Sequence, residues 1–257
     1  YAPNPVTVFL AACSTKVSLY LLLRFDFFVF QPNLVNHDTQ FTWFLMPLAV
    51  LAILIASGVA LFEQNIKRLL AYSSIAQIGY ILLGASFVTF AGLTASTVHL
   101  FNHALAKGAL FLAVGCLATQ STGLRLSDLG GIAKRMPWTS AAFIVAGFSL
   151  IGIPGTAGFI SKWYLITAAL EHGSLGIALV TVLVISSLMA VVYIWRIVEA
   201  IYFAEPVADQ SAIREAPRMM LLITWVAALA NLYFGLVPEV PVTLASSAAD
   251  TLLEHLP

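Results

Sequence analysis

His99-Leu-Phe-Asn102-His103-Ala-Leu-Ala-Lys107-Gly-Ala-Leu-Phe111 sets two imidazoles and an ammonium inside a run that otherwise reads as lipid-soluble helix. In an α-helix, positions i, i+4 and i+8 lie about one turn apart, and roughly 40° of drift per step keeps them on one face. His99, His103 and Lys107 therefore form a polar stripe about 12 Å long, parallel to the helix axis. An unpaired charge at bilayer depth costs at least about 2.5 kcal/mol even on the lenient insertion scale. A membrane chain that keeps three ionisable groups there is expected to use them. Two further lysines, Lys16 and Lys162, sit in the middle of other apolar runs. The expectation is a line of protonatable groups through a membrane.

Hydrophobic residues make up 60% of the chain and charged residues 9%, with a mean hydropathy of +0.95. Soluble domains carry about 25% charged residues, so this composition describes an integral membrane protein. The apolar segments are too long for barrel strands and predict an all-α, polytopic helical bundle. A formal charge of zero gives no reason to expect a nucleic-acid partner. Cys13 and Cys116 both fall inside predicted spans and read as small packing residues. The chain opens at Tyr1-Ala-Pro-Asn4-Pro5, which has the character of a loop, and is expected to be a segment of something longer.

Seven spanning units can be read. The first covers residues 6–23 and carries Lys16; a polar, aromatic loop with Asp26, Pro32, Asn33, His37 and Asp38 follows. The second covers residues 43–62. A tight turn through Glu63, Lys67 and Arg68 leads to the third, residues 69–90, and the fourth, residues 93–118, holds the His/Lys stripe. A longer loop contains Asp128, Gly130-Gly131 and the basic pair Lys134-Arg135. The sixth covers residues 175–203 and the seventh 218–237. An amphipathic or frayed tail with Asp250, Glu254 and His255 closes the chain.

The fifth unit, from Pro137 to Leu170, is too long for one simple span and contains Gly152-Ile-Pro154-Gly155-Thr-Ala-Gly158. Proline removes a backbone donor and clashes one turn back, and the glycines loosen the same region. These residues predict a discontinuous helix, with Lys162 just past the break. Broken helices beside an ionisable group recur at midplane ion sites. The plainer alternative is a proline kink that serves packing.

Seven spans make the loops alternate sides. Lys67, Arg68, Arg125, Lys134, Arg135, Arg214 and Arg218 then share the side of the N-terminus, and Arg24 alone falls opposite. By the positive-inside rule the N-terminus of this multi-pass segment is expected in the cytoplasm.

Lys16 lies about ten residues into its span, roughly 15 Å from the cytoplasmic end, and snorkelling does not reach either surface comfortably from there. Amines and imidazoles in such surroundings can take and release protons, and a water-bridged chain of them is a proton relay. Ser14, Thr15, Ser73, Ser74, Gln77, Asn102 and Thr156 are candidates to line it. Each group has a plainer reading. A mid-helix lysine can neutralise a neighbouring carboxylate, but no Asp or Glu lies well inside a span; Glu171 and Glu199 only approach span ends. His99 and His103 could ligate zinc, but no third ligand is near in sequence. His99 alone could be a packed helix histidine. Gly130-Gly131 is not a phosphate loop, and no cysteine cluster could hold an iron–sulfur centre, so no cofactor is expected.

Four stretches carry a family resemblance: Pro3-Asn-Pro5 leading to Ser14-Thr-Lys16-Val; Asn65-Ile-Lys67-Arg68-Leu-Leu-Ala-Tyr72 through Gln77-Ile-Gly79-Tyr80; Asn102-His103-Ala-Leu-Ala-Lys107; and Gly152-Ile-Pro154-Gly155 through Gly158-Phe-Ile-Ser-Lys162. In order and spacing they resemble the antiporter-like proton-translocating subunits of respiratory complex I, membrane-bound hydrogenases and Mrp-type Na+/H+ antiporters. Lysine at 162, where some members have glutamate, looks closest to the antiporter D subunit and the complex I N-type subunit.

The resemblance implies that this chain corresponds to helices eight to fourteen of the family's fourteen. Residues 1–203 would form the second half-channel, and residues 204–257 a loop, the last helix and a tail. It further implies that Lys16 is the central connecting lysine, that His103 and Lys107, with His99 on the same stripe, relay protons in the eleventh helix, and that Lys162 is the exit-side lysine. The family's first half-channel has no counterpart here. The implied function is proton translocation within a multi-subunit membrane complex, with other membrane subunits as partners and sodium as a second candidate cargo. Two alternatives stand beside it: a non-transporting anchor or docking subunit, and a proton-pumping subunit of a redox-driven complex of the NADH:quinone oxidoreductase or hydrogenase type.

Overall fold

Long apolar runs in lipid must satisfy their own backbone groups, and helices do so without a partner. The computed structural model describes residues 4–29, 37–121, 123–206 and 212–254, with only the backbone described at 28, 29 and 37–43. The helices are α1 (Asn4–Phe27), α2 (His37–Phe62), α3 (Ile66–Ser86), α4 (Phe90–Gln120), α5 (Pro137–Ile151), α6 (Ala157–Leu170), α7 (Gly173–Tyr202), α8 (Arg218–Leu236) and α9 (Glu239–Leu253). Among the described residues, six are long and apolar enough to cross a membrane, and α5 and α6 are shorter apolar helices that follow one another across the Gly152–Thr156 break. The expected polytopic bundle with one discontinuous helix is therefore observed. Pro32, Asn33, the side chains of His37, Asp38 and Trp43, and His255 lie outside the described residues.

Local chemistry sets the helix ends. The Asn65 side chain accepts from the Lys67 and Arg68 backbone N–H groups at 3.0 and 3.3 Å and starts α3 at Ile66, earlier than the apolar run alone predicts. Thr89 accepts from Gly92 N–H at 3.1 Å and starts α4. Proline is tolerated at the first position of α5, where its missing donor is not needed. There the Glu215 carboxylate accepts from Trp138 N–H at 2.9 Å.

The stripe-bearing α4 is the centre of the bundle, packed by α1, α3, α5, α6, α8 and α9. Lipid gives helices no hydrophobic reason to associate, so small residues that permit close approach decide where they meet. A Cβ added at Gly108 would lie 3.7 Å from that of Ala12, and one at Gly115 3.6 Å from that of Asn4, which seats α1 along α4.

One end of the bundle is knitted by its loops. Ile66 N–H donates to Leu124 O and Leu126 N–H to Gln64 O, both at 2.9 Å, and Gly131 N–H donates to Ala200 O at 3.1 Å. Lys67 donates to the Asn4 side chain, and Arg196 to the Leu61 carbonyl at the end of α2. The segments carrying Lys67, Arg68, Arg125, Lys134, Arg135, Arg214 and Arg218 meet at this end, as alternating spans require.

Of the two expectations for the C-terminal segment, the amphipathic one is observed and the frayed one is not. After α8, α9 docks with Ala245, Ala249 and Leu252 buried, and Ala249 and Leu252 share a cluster with Leu23, Phe27 and Leu93. α8 runs beside one half of α4, where Cys116 meets Thr224 and Phe101 meets Phe234; α9 covers the other half. Gly235, near the end of α8, abuts Gly155 and Thr156 at the α5–α6 break.

Candidate functional site: a line of buried amines and imidazoles

The break is built first. Gly152 ends α5 at φ +90° and Gly155 follows at φ +87°, left-handed conformations that favour glycine. Pro154 sits between them and Thr156 Oγ1 donates back to Ile153 O at 2.7 Å. The halves then approach so closely that a Cβ at Gly158 would lie 1.7 Å from Ser149 O, while Gly158 N–H donates to Ser149 Oγ at 3.1 Å. Asn102 of α4 pins the start of α6, its Nδ2 donating to Ala157 O at 2.6 Å.

Breaking the helix frees the last carbonyls of α5, the negative end of its dipole. Lys162 folds back onto them: its Nζ donates to Ile151 O at 2.7 Å, Leu150 O at 3.3 Å and Ser187 Oγ at 3.0 Å. The same nitrogen lies 5.2 Å from the centre of the Tyr80 ring, a cation–π contact.

Tyr80 is fully buried and meets His99 edge to face, with ring centroids 5.4 Å apart. His99 Nε2 pairs with Gln77 Oε1 at 3.0 Å and Nδ1 with Ser161 Oγ at 2.8 Å. With the Gln77 amide turned to present Oε1, an acceptor, Nε2 carries a proton. Ser161 can give its hydroxyl hydrogen to Nδ1 of a neutral ring. Alternatively it can turn that hydrogen to Gly158 O, 3.1 Å away, and accept from Nδ1–H of a charged ring. In both protonation states each His99 ring nitrogen keeps a partner, and only the Ser161–Gly158 bond is given up when the ring is neutral.

His103 stacks on His99 one turn along, at 6.1 Å between centroids and 12° between planes. Neither of its ring nitrogens has a hydrogen-bond partner among the described residues. One turn further, the fully buried Lys107 donates to Leu70 O at 2.7 Å and to Ser73 Oγ at 2.5 Å. Ser74 donates to the same Leu70 carbonyl at 3.0 Å.

Lys16 enters from α1. Residues Leu10–Ser14 just before it form a π-helical turn, which holds one more residue than an α-turn and shifts the carbonyl ladder. Ala11 O within that turn accepts from the Lys16 amine, and Thr15 Oγ1 lies 3.3 Å away. Lys16 is within electrostatic reach of His103, Lys107 and His99, and Lys162 of His99. All five expected residues thus fall in one connected set.

Each of the three buried lysines is held by backbone carbonyl oxygens and hydroxyls, and among the described residues none pairs with a carboxylate. No group of three His, Cys, Asp or Glu able to hold a metal occurs among them either. Of the expected lining residues, Thr15, Ser73 and Gln77 contact the ionisable side chains, and Asn102 and Thr156 hold the helix break. Sequence reasoning missed Tyr80, Ser161 and Ser187. The first two had a usable signal, since Tyr80 follows Gln77 by three positions on α3 and Ser161 adjoins Lys162. Ser187 had none.

The profile described as "NADH:quinone oxidoreductase/Mrp antiporter, TM" matches residues 1–190. The chain belongs to this family. It is 42% identical over 203 residues to a protein named NADH-quinone oxidoreductase subunit N from Desulforudis audaxviator, covering 79% of this chain and 40% of the relative. Among solved structures, it is similar to a chain of the Mrp complex from Dietzia sp. DQ12-45-1b at a TM-score of 0.87 and 25% identity, covering 99% of this chain and 55% of that one. A chain of the archaeal membrane-bound sulfane sulfur reductase matches at a TM-score of 0.86 and 29% identity, covering 99% and 50%. The chain spans about half the length of the curated relatives it matches. Its family and its helices make it a multi-pass membrane protein of a respiratory-complex type.

Proposed function

We propose that this chain translocates protons as the second half-channel of an antiporter-like subunit, along Lys16, Lys107, His103, His99 and Lys162. The observation that carries the reading is the hydrogen-bonding of His99, which is complete whether the ring is neutral or charged. A relay needs groups whose two protonation states are both accommodated, and a static structural histidine does not. The lysines fit the same requirement. Carbonyls and hydroxyls solvate an ammonium, yet they do not lock it as a carboxylate would. His103, flanked by His99 and Lys107, is the point at which water joins the line, and mutual repulsion between neighbouring cations couples successive steps.

In this reading residues 1–203 form the half-channel, and residues 204–257 supply a loop, α8 and the docked α9. The basic end faces the cytoplasm of a bacterial-type inner membrane. The rest of the machinery lies in other membrane subunits or in further sequence of the same protein. Relatives named NADH-quinone oxidoreductase subunit N favour coupling to redox chemistry, and the Mrp likeness favours cation exchange. The relatives are named subunit N, which supports the N-type reading; the D-type reading and sodium as a second cargo are kept as the exchange alternative.

The test is proton uptake into vesicles containing this chain with its native membrane partners, followed by a pH-sensitive dye. Lys16→Ala and Lys162→Ala are each expected to abolish uptake while assembly persists. Uptake that survives both would overturn the relay; loss of assembly with each would favour an anchoring subunit. Identifying the co-purifying polypeptides, particularly any iron–sulfur or flavin subunit, separates the redox-driven from the exchange reading.

A further inference from the structure

Lys162 does more than adjoin the histidines: its side chain lines a cavity of about 250 Å³ between α6 and α7, beside the helix break. Gly152 and Ser187 share the inner lining with it, and Trp163, Val184 and Leu188 line the mouth. Those three are exposed apolar side chains, so the cavity opens sideways onto the surface that a membrane chain turns to lipid. The amine's hydrogen-bond partners are two carbonyls and a hydroxyl, and the titratable groups facing it are His99 and Tyr80, so no acid answers its charge among the described residues. A cation at the bottom of an apolar, laterally open cavity fits an amphiphile with an anionic end.

Depth narrows the class. The half-helices are 15 and 14 residues long, so the break between them lies about half-way through the crossing. A phospholipid phosphate stays at the membrane surface, roughly 15 Å from the midplane. A single-chain carboxylic acid reaches the midplane, because its neutral form crosses the hydrocarbon.

We propose that this cavity binds a long-chain fatty acid from the bilayer, its carboxylate end paired with the Lys162 ammonium. The alkyl chain lies along Trp163, Val184 and Leu188. Binding itself does not depend on the relay; only its consequence, an occupied Lys162 and slowed proton passage, rests on that reading.

The experiment is photolabelling of native membranes containing this chain with three probes that carry the same mid-chain diazirine: a palmitic acid, its methyl ester and a phosphatidylcholine. The acid is expected to label residues of α6 and α7 around the cavity and to be displaced by unlabelled palmitate. Lys162→Met should lower labelling by about tenfold or more. Val184→Trp, which plugs the mouth and leaves the lysine in place, should do the same and covers the case in which the first variant fails to fold. Equal labelling by the ester or the phospholipid, labelling indifferent to both substitutions, or no labelling with the face covered by a neighbouring subunit would each overturn the proposal. Labelling can succeed while Lys162→Ala still transports protons, so the two readings fail separately.

Discussion

The Lys162 amine rests 2.7 Å from the Ile151 carbonyl oxygen, across the break that divides its own helix from the preceding one. The interruption and the lysine are thus one device: the break exposes carbonyls at the negative end of a short dipole, and the cation occupies them. Geometry that holds the two half-helices in register is therefore geometry that holds the charge.

Gly158 and Gly152 maintain that register differently. A Cβ at Gly158 meets backbone, 1.7 Å from Ser149 O, whereas one at Gly152 meets the flexible Lys162 side chain at 2.9 Å. Gly158→Ala should forbid the docked break and sharply lower the thermal unfolding midpoint in detergent. Gly152→Ala should cost about 1–2 kcal/mol for its left-handed backbone and displace the lysine, reducing transport more than stability. A Gly158→Ala protein as stable as its parent would contradict the close approach.

Lys107 and Ser73 make opposite predictions. Lys107→Met removes a buried charge, and the Leu70 carbonyl it leaves still accepts from the Ser73 and Ser74 hydroxyls, so stability should be unchanged or raised while uptake is lost. Ser73→Ala keeps the ammonium and removes a partner, and should destabilise by about 1–3 kcal/mol. Denaturant unfolding of the two variants side by side reads the difference. A loss of stability larger for Lys107→Met would assign the lysine a structural role.

Ser161→Ala removes the hydroxyl that serves both states of His99. Hydrogen bonds to charged groups contribute about 1.5–3 kcal/mol, so translocation should slow by roughly tenfold to a hundredfold with folding preserved. An unchanged rate would mean that His99 does not change protonation in the cycle.

Glu63 at the basic end gives a pH signature. Its carboxylate accepts from the Asn65 and Gln64 backbone N–H groups, both at 3.0 Å, and forms an ion pair with Arg68 at 3.2 Å. These contacts, Asn65 first, hold its pKa below the ordinary 4.5. A depressed folded-state pKa stabilises the fold above the unfolded value, and that contribution disappears as pH falls through the folded value. The unfolding midpoint of the parent should therefore drop on acidification below about 4.5 more steeply than that of Glu63→Gln. Parallel curves would show that the turn contributes nothing. The effect should be small, because Arg68 is largely exposed and solvent screens the pair.

Much of this was legible in the residues. Apolar run lengths fixed the spans, Pro154 with Gly152, Gly155 and Gly158 announced the break, and four-residue spacing put His99, His103 and Lys107 on one face. What escaped was whatever depends on a second element. Ser187 reaches Lys162 from α7, and Leu70 serves Lys107 through a carbonyl, which no side-chain pattern records. Ala245, Ala249 and Leu252 follow helical spacing, but nothing in the spacing names α1 and α4 as their seat. The π-turn before Lys16 adds one residue to an apolar run and leaves no compositional trace.

Holding amines by neutral oxygens sets how much charge the interior can store. Each proton added to this set raises the electrostatic potential felt by the next, and among the described residues no carboxylate pairs with its lysines to compensate. If the proposed relay operates, the line loads like a small capacitor: a proton arriving at one end makes release at the other more favourable, even without a moving helix.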